Sequence, residues 1–424
     1  MTATRLNTRL WTLIVTGALL TFPLYIPSGR AQSTGGPAAR RQSPAKAKSS
    51  KPSKPSGQSN EQSGAAFDEA VKNADQAREA GRLDVALDLY GKALQMRSDW
   101  AEGWWYAGTI LYDKDRYADA RDAFRNLVAL EPKRAQAWGM LGLCEYQTRE
   151  YDRAVNSLQR GRSLGLADNR EIESVVRYHA AILYTRFEQF EVAYDILSEF
   201  VREARESPKI IEAFGLSMMR MPFLPNELPP DKREQVLIAG RAGFDMAAHR
   251  RDEARKSFDE LLARYPDAPN VHYVHGVFLL NQDSDAALEE FRRELKISPS
   301  HVPSLLQMAF EYLKRNEHET ALPLAEQAAQ LAPKMYPARN VLGRVLLELG
   351  QVDRAIKELE EGARLAPNVP EMQYALARAY TRAGRKQDAA RARETFQRLE
   401  KLRNAQREGA NAEEGNDNPL KAKP

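Results

Sequence analysis

A unit of 34 residues recurs through most of this chain, and it limits the possible folds more than any other feature. Its clearest copy, residues 101–134, has two apolar sets, each spaced to occupy one face of a helix. The two sets are Trp104, Ala107, Gly108 and Leu111, then Tyr117, Ala120, Phe124 and Leu127. The polar run 113–116 between them marks a turn, and Pro132 ends the second helix because it cannot donate a helical hydrogen bond. The unit is therefore predicted to be a hairpin of two helices.

About nine such copies occupy residues 67–403. Four fill 67–207, and the fourth of these follows a short insertion at 169–173. Five fill 235–403, where the strongly charged final helix is typical of a cap that faces water. Residues 208–234 break the pattern with one lone helix and the proline-rich run MPFLPNELPPDKRE. This break is interpreted as a hinge, as a lid over a groove or as a surface insertion, since prolines prevent both a continued helix and strand pairing.

The length of the unit and its order of Trp, Ala-Gly, aromatic, Ala, Phe and Pro resemble the tetratricopeptide repeat (TPR) family. The resemblance spans some four fifths of the chain. It implies an all-α fold, a right-handed TPR superhelix, which is an α-solenoid of helix-turn-helix repeats. It also implies that the first helix of each hairpin lines a concave groove with its second, fifth, ninth and twelfth positions.

Those positions, transferred to this chain, are mostly aromatic or aliphatic. Exposing such side chains to water is unfavourable in free energy unless a partner covers them. The predicted binding residues are Trp105, Tyr112, Tyr146, Tyr178, Ile182, Tyr273, Leu306, Phe310 and Tyr374. Burial against neighbouring helices or under the proline-rich run is the competing interpretation. The Lys and Asn pattern by which chaperone-binding members of the family hold a peptide carboxylate is absent from the first three repeats.

The sequence contains no recognisable catalytic motif, and the protein is predicted not to be an enzyme and to need no cofactor. His272 and His275 have a spacing that could ligate a metal, but no further ligand lies beside them in sequence, so packing histidines are favoured and no metal site is predicted. Cys144, the single cysteine, is expected to be a small buried hydrophobe.

Residues 1–31 have the pattern of an export signal, with Arg5 and Arg9 ahead of an apolar stretch. The alternative is an uncleaved membrane anchor formed by residues 10–29. Residues 32–64 are predicted to be a disordered basic linker and 404–424 a disordered tail. The array is therefore expected outside the cytoplasm, as a periplasmic or secreted protein.

The first 64 residues hold nine basic side chains and one acidic side chain, so the array itself is close to neutral. Because phosphate contacts need clustered Lys and Arg, nucleic acid is not an expected partner. The favoured function is a non-catalytic scaffold that binds a protein or peptide segment in the groove. Two alternatives are a module that binds a glycan or cell-wall polymer through the same aromatic residues, and an enzyme with an unrecognised site.

Overall fold

The computed structural model describes residues 57–166 and 169–416, and these ranges form nineteen α-helices with no β-strand among them. In chain order they are α1 (Gly57–Glu79), α2 (Leu83–Met96), α3 (Ala101–Asp113), α4 (Tyr117–Leu130), α5 (Ala135–Gln147), α6 (Tyr151–Leu164), α7 (Arg170–Arg186), α8 (Phe190–Arg202), α9 (Pro208–Met218), α10 (Pro230–Ala247), α11 (Arg251–Arg264), α12 (Val271–Leu279), α13 (Ser284–Ile297), α14 (Val302–Lys314), α15 (His318–Leu331), α16 (Tyr336–Glu348), α17 (Val352–Leu365), α18 (Pro370–Arg382) and α19 (Lys386–Asn416). Eighteen of them pair as nine consecutive hairpins, and α9 stands alone between the fourth and fifth. The predicted all-α repeat fold, an α-solenoid, is confirmed.

The helix ends follow local sequence. In the clearest repeat, α3 ends at Asp113 and α4 ends at Leu130, two residues before Pro132. One residue of the intervening turn, Asp115, has a left-handed backbone with φ of 56°, and Arg149 holds the equivalent place in the next hairpin with φ of 60°. A single left-handed residue reverses the chain within a few residues, so the two helices of a hairpin pack directly against each other.

A small residue on the first helix allows this close packing. At Gly108, Gly142 and Gly343 the side chain that faces the glycine comes from the second helix of the same hairpin. A methyl group added to Gly142 would lie 2.7 Å from Leu158 Cγ, and one added to Gly343 would lie 2.5 Å from Leu359 Cγ. The large partner side chain therefore rests on the backbone of the first helix, where even alanine has no room.

The core consists of these second-helix side chains and the alanines around them. In seven of the nine hairpins a large second-helix side chain is completely buried: Tyr90, Phe124, Leu158, Leu197, Phe258, Phe291 and Leu359. Each therefore removes most of its apolar surface from water, which stabilises a hairpin by about 1.5–3 kcal/mol per side chain.

The described chain divides into two compact units. The first contains the residues up to Ser217 together with Met221–Pro229, and the second contains Met218–Arg220 and the residues from Pro230 onward. The division falls inside the predicted break at 208–234, where α9 and the non-helical residues after it replace a regular hairpin.

Several helices extend beyond their predicted limits. Residues 169–173, expected to be an insertion, instead begin α7, and the Asn169 side chain accepts a hydrogen bond from the Ile172 amide at 3.0 Å as a cap. Helix α1 begins at Gly57, inside the predicted linker, and α19 continues to Asn416, inside the predicted tail. The prolines that would stop a helix lie outside these extensions, at Pro55 and Pro419.

The predicted export signal and most of the basic linker lie outside the described residues. Among the helices that are described, none combines the length and the apolar character that crossing a bilayer requires.

The close contact between paired helices predicts opposite effects for two glycine substitutions. Gly142→Ala should destabilise the protein by about 1–3 kcal/mol, because the new methyl group collides with Leu158. Gly91→Ala, in α2, should stabilise it by about 0.5–1 kcal/mol, since a methyl group there meets nothing within 4 Å. Chemical denaturation followed by tryptophan fluorescence would measure the free energy of unfolding of both variants. Equal stability of the two variants would contradict the packing described.

Candidate functional site

Three first helices of the first unit bring together a set of partly exposed rings, called here the aromatic row: Tyr112, Tyr146, Tyr178 and His179. The Tyr146 ring meets the edge of the His179 ring at 4.7 Å between centroids, and His179 meets Tyr178 at 5.4 Å. Tyr112 lies at the other end of the row, beside Gln147 of α5. The row thus runs across α3, α5 and α7, which are consecutive first helices.

Two further tyrosines support the row from the second helices. Tyr117 packs edge-on against Tyr112 at 5.3 Å, and Tyr151 packs against Tyr146 at 5.8 Å. Such edge contacts each add about 0.5–1.5 kcal/mol beyond burial, so the rings have fixed orientations.

The aromatic row is electrically neutral at neutral pH. Burial raises the pKa of Tyr112, Tyr146 and Tyr178, and burial lowers the pKa of His179, which also lies near Lys209. The row therefore presents uncharged rings whose polar edges can still form hydrogen bonds.

The non-helical residues 221–229 approach this row near Tyr146. Arg186 of α7 forms an ion pair with Glu227, and its guanidinium also lies over the Tyr151 ring at 5.1 Å. Glu227 accepts a hydrogen bond from the Leu224 amide at 3.1 Å, while Leu224 and Leu228 are buried. This segment is thus packed through its leucines and anchored by its one glutamate.

Trp105, a predicted binding residue, is occupied by intramolecular contacts. Its ring packs edge-on against Phe124 at 5.8 Å, and the Arg134 guanidinium covers it at 4.6 Å. Its side chain is half-buried, so it packs in the hairpin core and also exposes part of its ring. A substitution of Trp105 would therefore change stability together with any binding.

The other predicted residues divide by exposure. Ile182, Tyr273 and Leu306 are buried, so they offer little surface in the present conformation. Phe310 is half-buried under Arg344, and Tyr374 is 54% exposed beside Phe396. The structure therefore brings Tyr112, Tyr146 and Tyr178 into one row in the first unit, and it places Phe310 and Tyr374 in the second unit.

His179 was missed by the sequence analysis. It directly follows Tyr178, outside the four positions that the family resemblance selects, yet its ring joins Tyr146 to Tyr178. Its Nδ1 lies 2.8 Å from the Val175 carbonyl oxygen, which fixes the ring along α7. One indication of this role was present in the sequence, which is that His179 directly follows Tyr178. The helix that carries both residues begins about one turn before its predicted start.

The two histidines at metal-ligand spacing share one carboxylate. His272 Nδ1 lies 2.6 Å from Glu290 Oε2, and His275 Nδ1 lies 3.2 Å from the same oxygen. Arg293 donates to the other oxygen of Glu290 at 2.7 Å. Across the described ranges, no three or more His, Cys, Asp or Glu side chains are arranged to hold a metal ion. The cluster joins α12 to α13 within one hairpin.

Cys144 is fully buried in α5. Burial raises the pKa of its thiol to about 12, so the reactive thiolate is not populated at neutral pH. This matches the expected small buried hydrophobe.

The chain matches models of a known protein family. Two family models, both described as tetratricopeptide repeat, match this chain. One matches residues 71–125, 107–163 and 245–302, and the other matches 312–379. Together the matched segments cover just over half of the chain and include the first two helices of the aromatic row.

The individual proteins that this chain resembles have low sequence identity to it. Human Protein O-mannosyl-transferase TMTC3 is 23% identical over 248 residues, 56% of this chain, and the BBSome complex member BBS4 homolog of Drosophila melanogaster is 20% identical over 136 residues, 32% of this chain. The match spans only 27% of the length of either relative. A solved structure of MamA from Desulfovibrio magneticus RS-1 is 23% identical, with a TM-score of 0.35, over 41% of this chain and 97% of that one.

The histidine cluster predicts a pH-dependent contribution to stability. Burial alone would raise the pKa of the Glu290 carboxyl, but the hydrogen bond from His272 and the nearby His275 side chain lower it from 4.5 to about 2. The stabilisation should be complete above about pH 4.5 and be lost as the pH falls towards 2. Wild type and Glu290→Gln should therefore differ by roughly 1–3 kcal/mol in the free energy of unfolding at neutral pH, and the difference should shrink below pH 4.5.

Circular dichroism suits this measurement, because all five tryptophans precede residue 139 and do not report on the second unit. Glu289→Gln is the control, since Glu289 is adjacent but 61% exposed and paired only with Arg292. A difference between wild type and Glu290→Gln that does not change with pH would contradict the ion pair.

Proposed function

Since this chain belongs to the tetratricopeptide repeat family, we propose that it is a non-catalytic protein-interaction scaffold that binds a segment of a partner protein along the aromatic row. The repeats support a protein-interaction role in general. The finer proposal, that the partner is held at Tyr112, Tyr146, Tyr178 and His179, rests on the ring contacts that join Tyr146, His179 and Tyr178. Tyr112 extends the row because it lies beside Gln147, the residue that follows Tyr146.

The chemistry of the row favours a peptide as its ligand. Its rings are neutral and oriented by their neighbours, so a partner side chain would contact them without ordering flexible side chains first. Their hydroxyl groups and the His179 ring provide hydrogen-bonding groups at the edge of an apolar surface. Extended or helical segments with alternating apolar and polar groups complement such a surface.

The same features argue against a catalytic role for the row. Tyrosines whose pKa is raised by burial are poor general bases, and the neighbouring histidine is hydrogen bonded along its own helix. The one thiol of the sequence, Cys144, is buried and supplies no exposed nucleophile to the row. The row is therefore suited to contact rather than to reaction.

We also propose that the protein acts outside the cytoplasm. This rests on Arg5 and Arg9 preceding an apolar stretch and on the small residues around Gly29 and Ala31. The mature chain should begin near Gln32. Amino-terminal sequencing of the protein purified from cells would check this, and a chain that retains Arg5 would favour the anchor instead.

Binding along the aromatic row predicts a selective loss on truncation. In cells, a photo-crosslinking amino acid in place of Tyr146 should capture a defined partner. With that partner purified, Tyr146→Ala combined with Tyr178→Ala should weaken binding at least about tenfold, or about 1.4 kcal/mol, because large rings dominate such contacts. Calorimetric titration would measure the affinity, and thermal unfolding would verify the fold.

Tyr184→Ala is the matched control. It removes the same ring from α7, but on another face, where the hydroxyl donates to Gln159 at 3.2 Å. It should bind like the wild type. Unchanged affinity in the double variant, with the fold intact, would show that the partner binds elsewhere.

A further inference from the structure

Residues 221–229, called here the strap, approach the aromatic row from outside the repeats. The strap has the sequence MPFLPNELP, and it belongs to the same compact unit as the row. It follows α9, the helix that stands alone between two hairpins. Repeat packing therefore does not set the position of the strap, and its own contacts decide whether it stays beside the row.

A chain of contacts connects the strap to Tyr146. The Glu227 carboxylate forms an ion pair with Arg186, the last residue of α7. The Arg186 guanidinium lies over the Tyr151 ring at 5.1 Å, and the Tyr151 ring packs against Tyr146 at 5.8 Å. Burial raises the pKa of Tyr146, and the nearby charge of Glu227 adds to this shift. The strap thus reaches the row at Tyr146.

Helix α9, which leads into the strap, borders the other rings of the row. Burial raises the pKa of Tyr178, and the charge of Glu212 adds to the shift. Burial lowers the pKa of His179, and the charge of Lys209 lowers it further. Lys209 and Glu212 lie three residues apart on α9 and so share one face of that helix. Helix α9 and the strap therefore flank the row from Tyr178 to Tyr146.

The strap carries hydrogen bonds of its own. The Glu227 amide donates to the Leu224 carbonyl at 2.8 Å, and the Leu224 amide donates to the Glu227 side chain at 3.1 Å. Three of the nine strap residues are prolines, which have no N–H and hold φ near about −65°. The strap is therefore a stiff segment that can leave the row without losing its internal bonds.

The contact between the strap and the row is of a reversible kind. Arg186 is 32% exposed and Glu227 is 37% exposed, so water weakens their ion pair. The buried side chains of Leu224 and Leu228 supply the apolar part of the contact. Because a stiff segment loses little entropy when it docks, these contacts are sufficient to keep it in place until a competitor arrives.

We propose that the strap is an autoinhibitory segment that covers the aromatic row at Tyr146 and leaves it when a partner binds, with the ion pair between Glu227 and Arg186 as its latch. This inference rests on the proposed scaffold function and adds its regulation. A partner binds the molecules whose strap is open, so its apparent affinity is reduced by the fraction that is closed.

The first measurement uses the purified full-length protein and needs no partner. A photo-crosslinking amino acid replaces Tyr146, and mass spectrometry of the digested chain quantifies its crosslink to residues 221–229. The wild-type strap should form this crosslink. Glu227→Arg should reduce it at least about fivefold, because the pair is lost and the new arginine repels Arg186. A crosslink that is absent with the wild-type strap, or unchanged in Glu227→Arg, would overturn the inference.

Reversal of both charges is the rescue. Arg186→Glu combined with Glu227→Arg should recover the crosslink, and thermal unfolding verifies that each variant is folded. Glu188→Arg is the matched control, since it makes the same change of charge on an exposed residue two positions from Arg186 and outside the strap. It should crosslink like the wild type. A crosslink that the double reversal does not restore would overturn the assignment of this pair as the latch.

The second measurement uses a labelled synthetic peptide with the strap sequence, MPFLPNELP, as the probe of an open row. In the wild type the attached strap competes with the peptide, whereas in Glu227→Arg the row is open and Arg186 is free to pair with the peptide. Fluorescence anisotropy should therefore show at least about fivefold tighter binding to Glu227→Arg than to the wild type. Equal binding to both would overturn the inference.

Failure of this inference and failure of the scaffold proposal give different results. If the strap does not cover the row, its crosslink from position 146 is absent, while Tyr146→Ala with Tyr178→Ala still weakens binding of the partner captured in cells. If the row binds no partner, those two substitutions leave the affinity unchanged, while the crosslink to the strap still forms.

Discussion

The contact between a small residue on one helix and a large side chain on the next is the constraint on which the rest of this structure depends. At Gly142 and Gly343 a leucine of the second helix rests directly on the first helix backbone, and Phe124 does the same at Gly108. Because interiors are close-packed, this contact fixes the distance and the rotation of the two helices together. The two helices of each hairpin are therefore held at a fixed distance and angle. The face of the first helix that points away from the second helix is held in a fixed orientation as well.

That orientation explains how distant residues form one surface. Tyr112, Tyr146 and Tyr178 lie more than thirty residues apart in sequence, yet they align because each first helix is held in the same way by its partner. Tyr117 and Tyr151, at the start of the second helices, pack against the rings of Tyr112 and Tyr146 and hold them in place. The orientation of the first-helix rings is therefore set by the packing of the repeats.

The repeat pattern predicted the helices well, because small and large residues recur in register and prolines mark the ends. It also predicted Tyr112 and Tyr146 as binding residues, and the structure leaves both side chains partly exposed. It could not predict that Ile182 and Tyr273 would be buried or that His179 would link two tyrosines, because those outcomes depend on the extra turn of α7 and on the short α12. The place of residues 221–229 beside the row was also invisible, since it depends on an ion pair between Arg186 and Glu227, which are 41 positions apart.

Partner contact is proposed to lie on the first helices, while the second helices hold the array together. Hydrogen exchange measured by mass spectrometry, with and without the captured partner, tests it most directly. Added protection should be concentrated in α3, α5 and α7, where the aromatic row lies, while α4, α6 and α8 should change little. Protection confined to those second helices would contradict the account, because it would place the partner on the face that the row does not occupy.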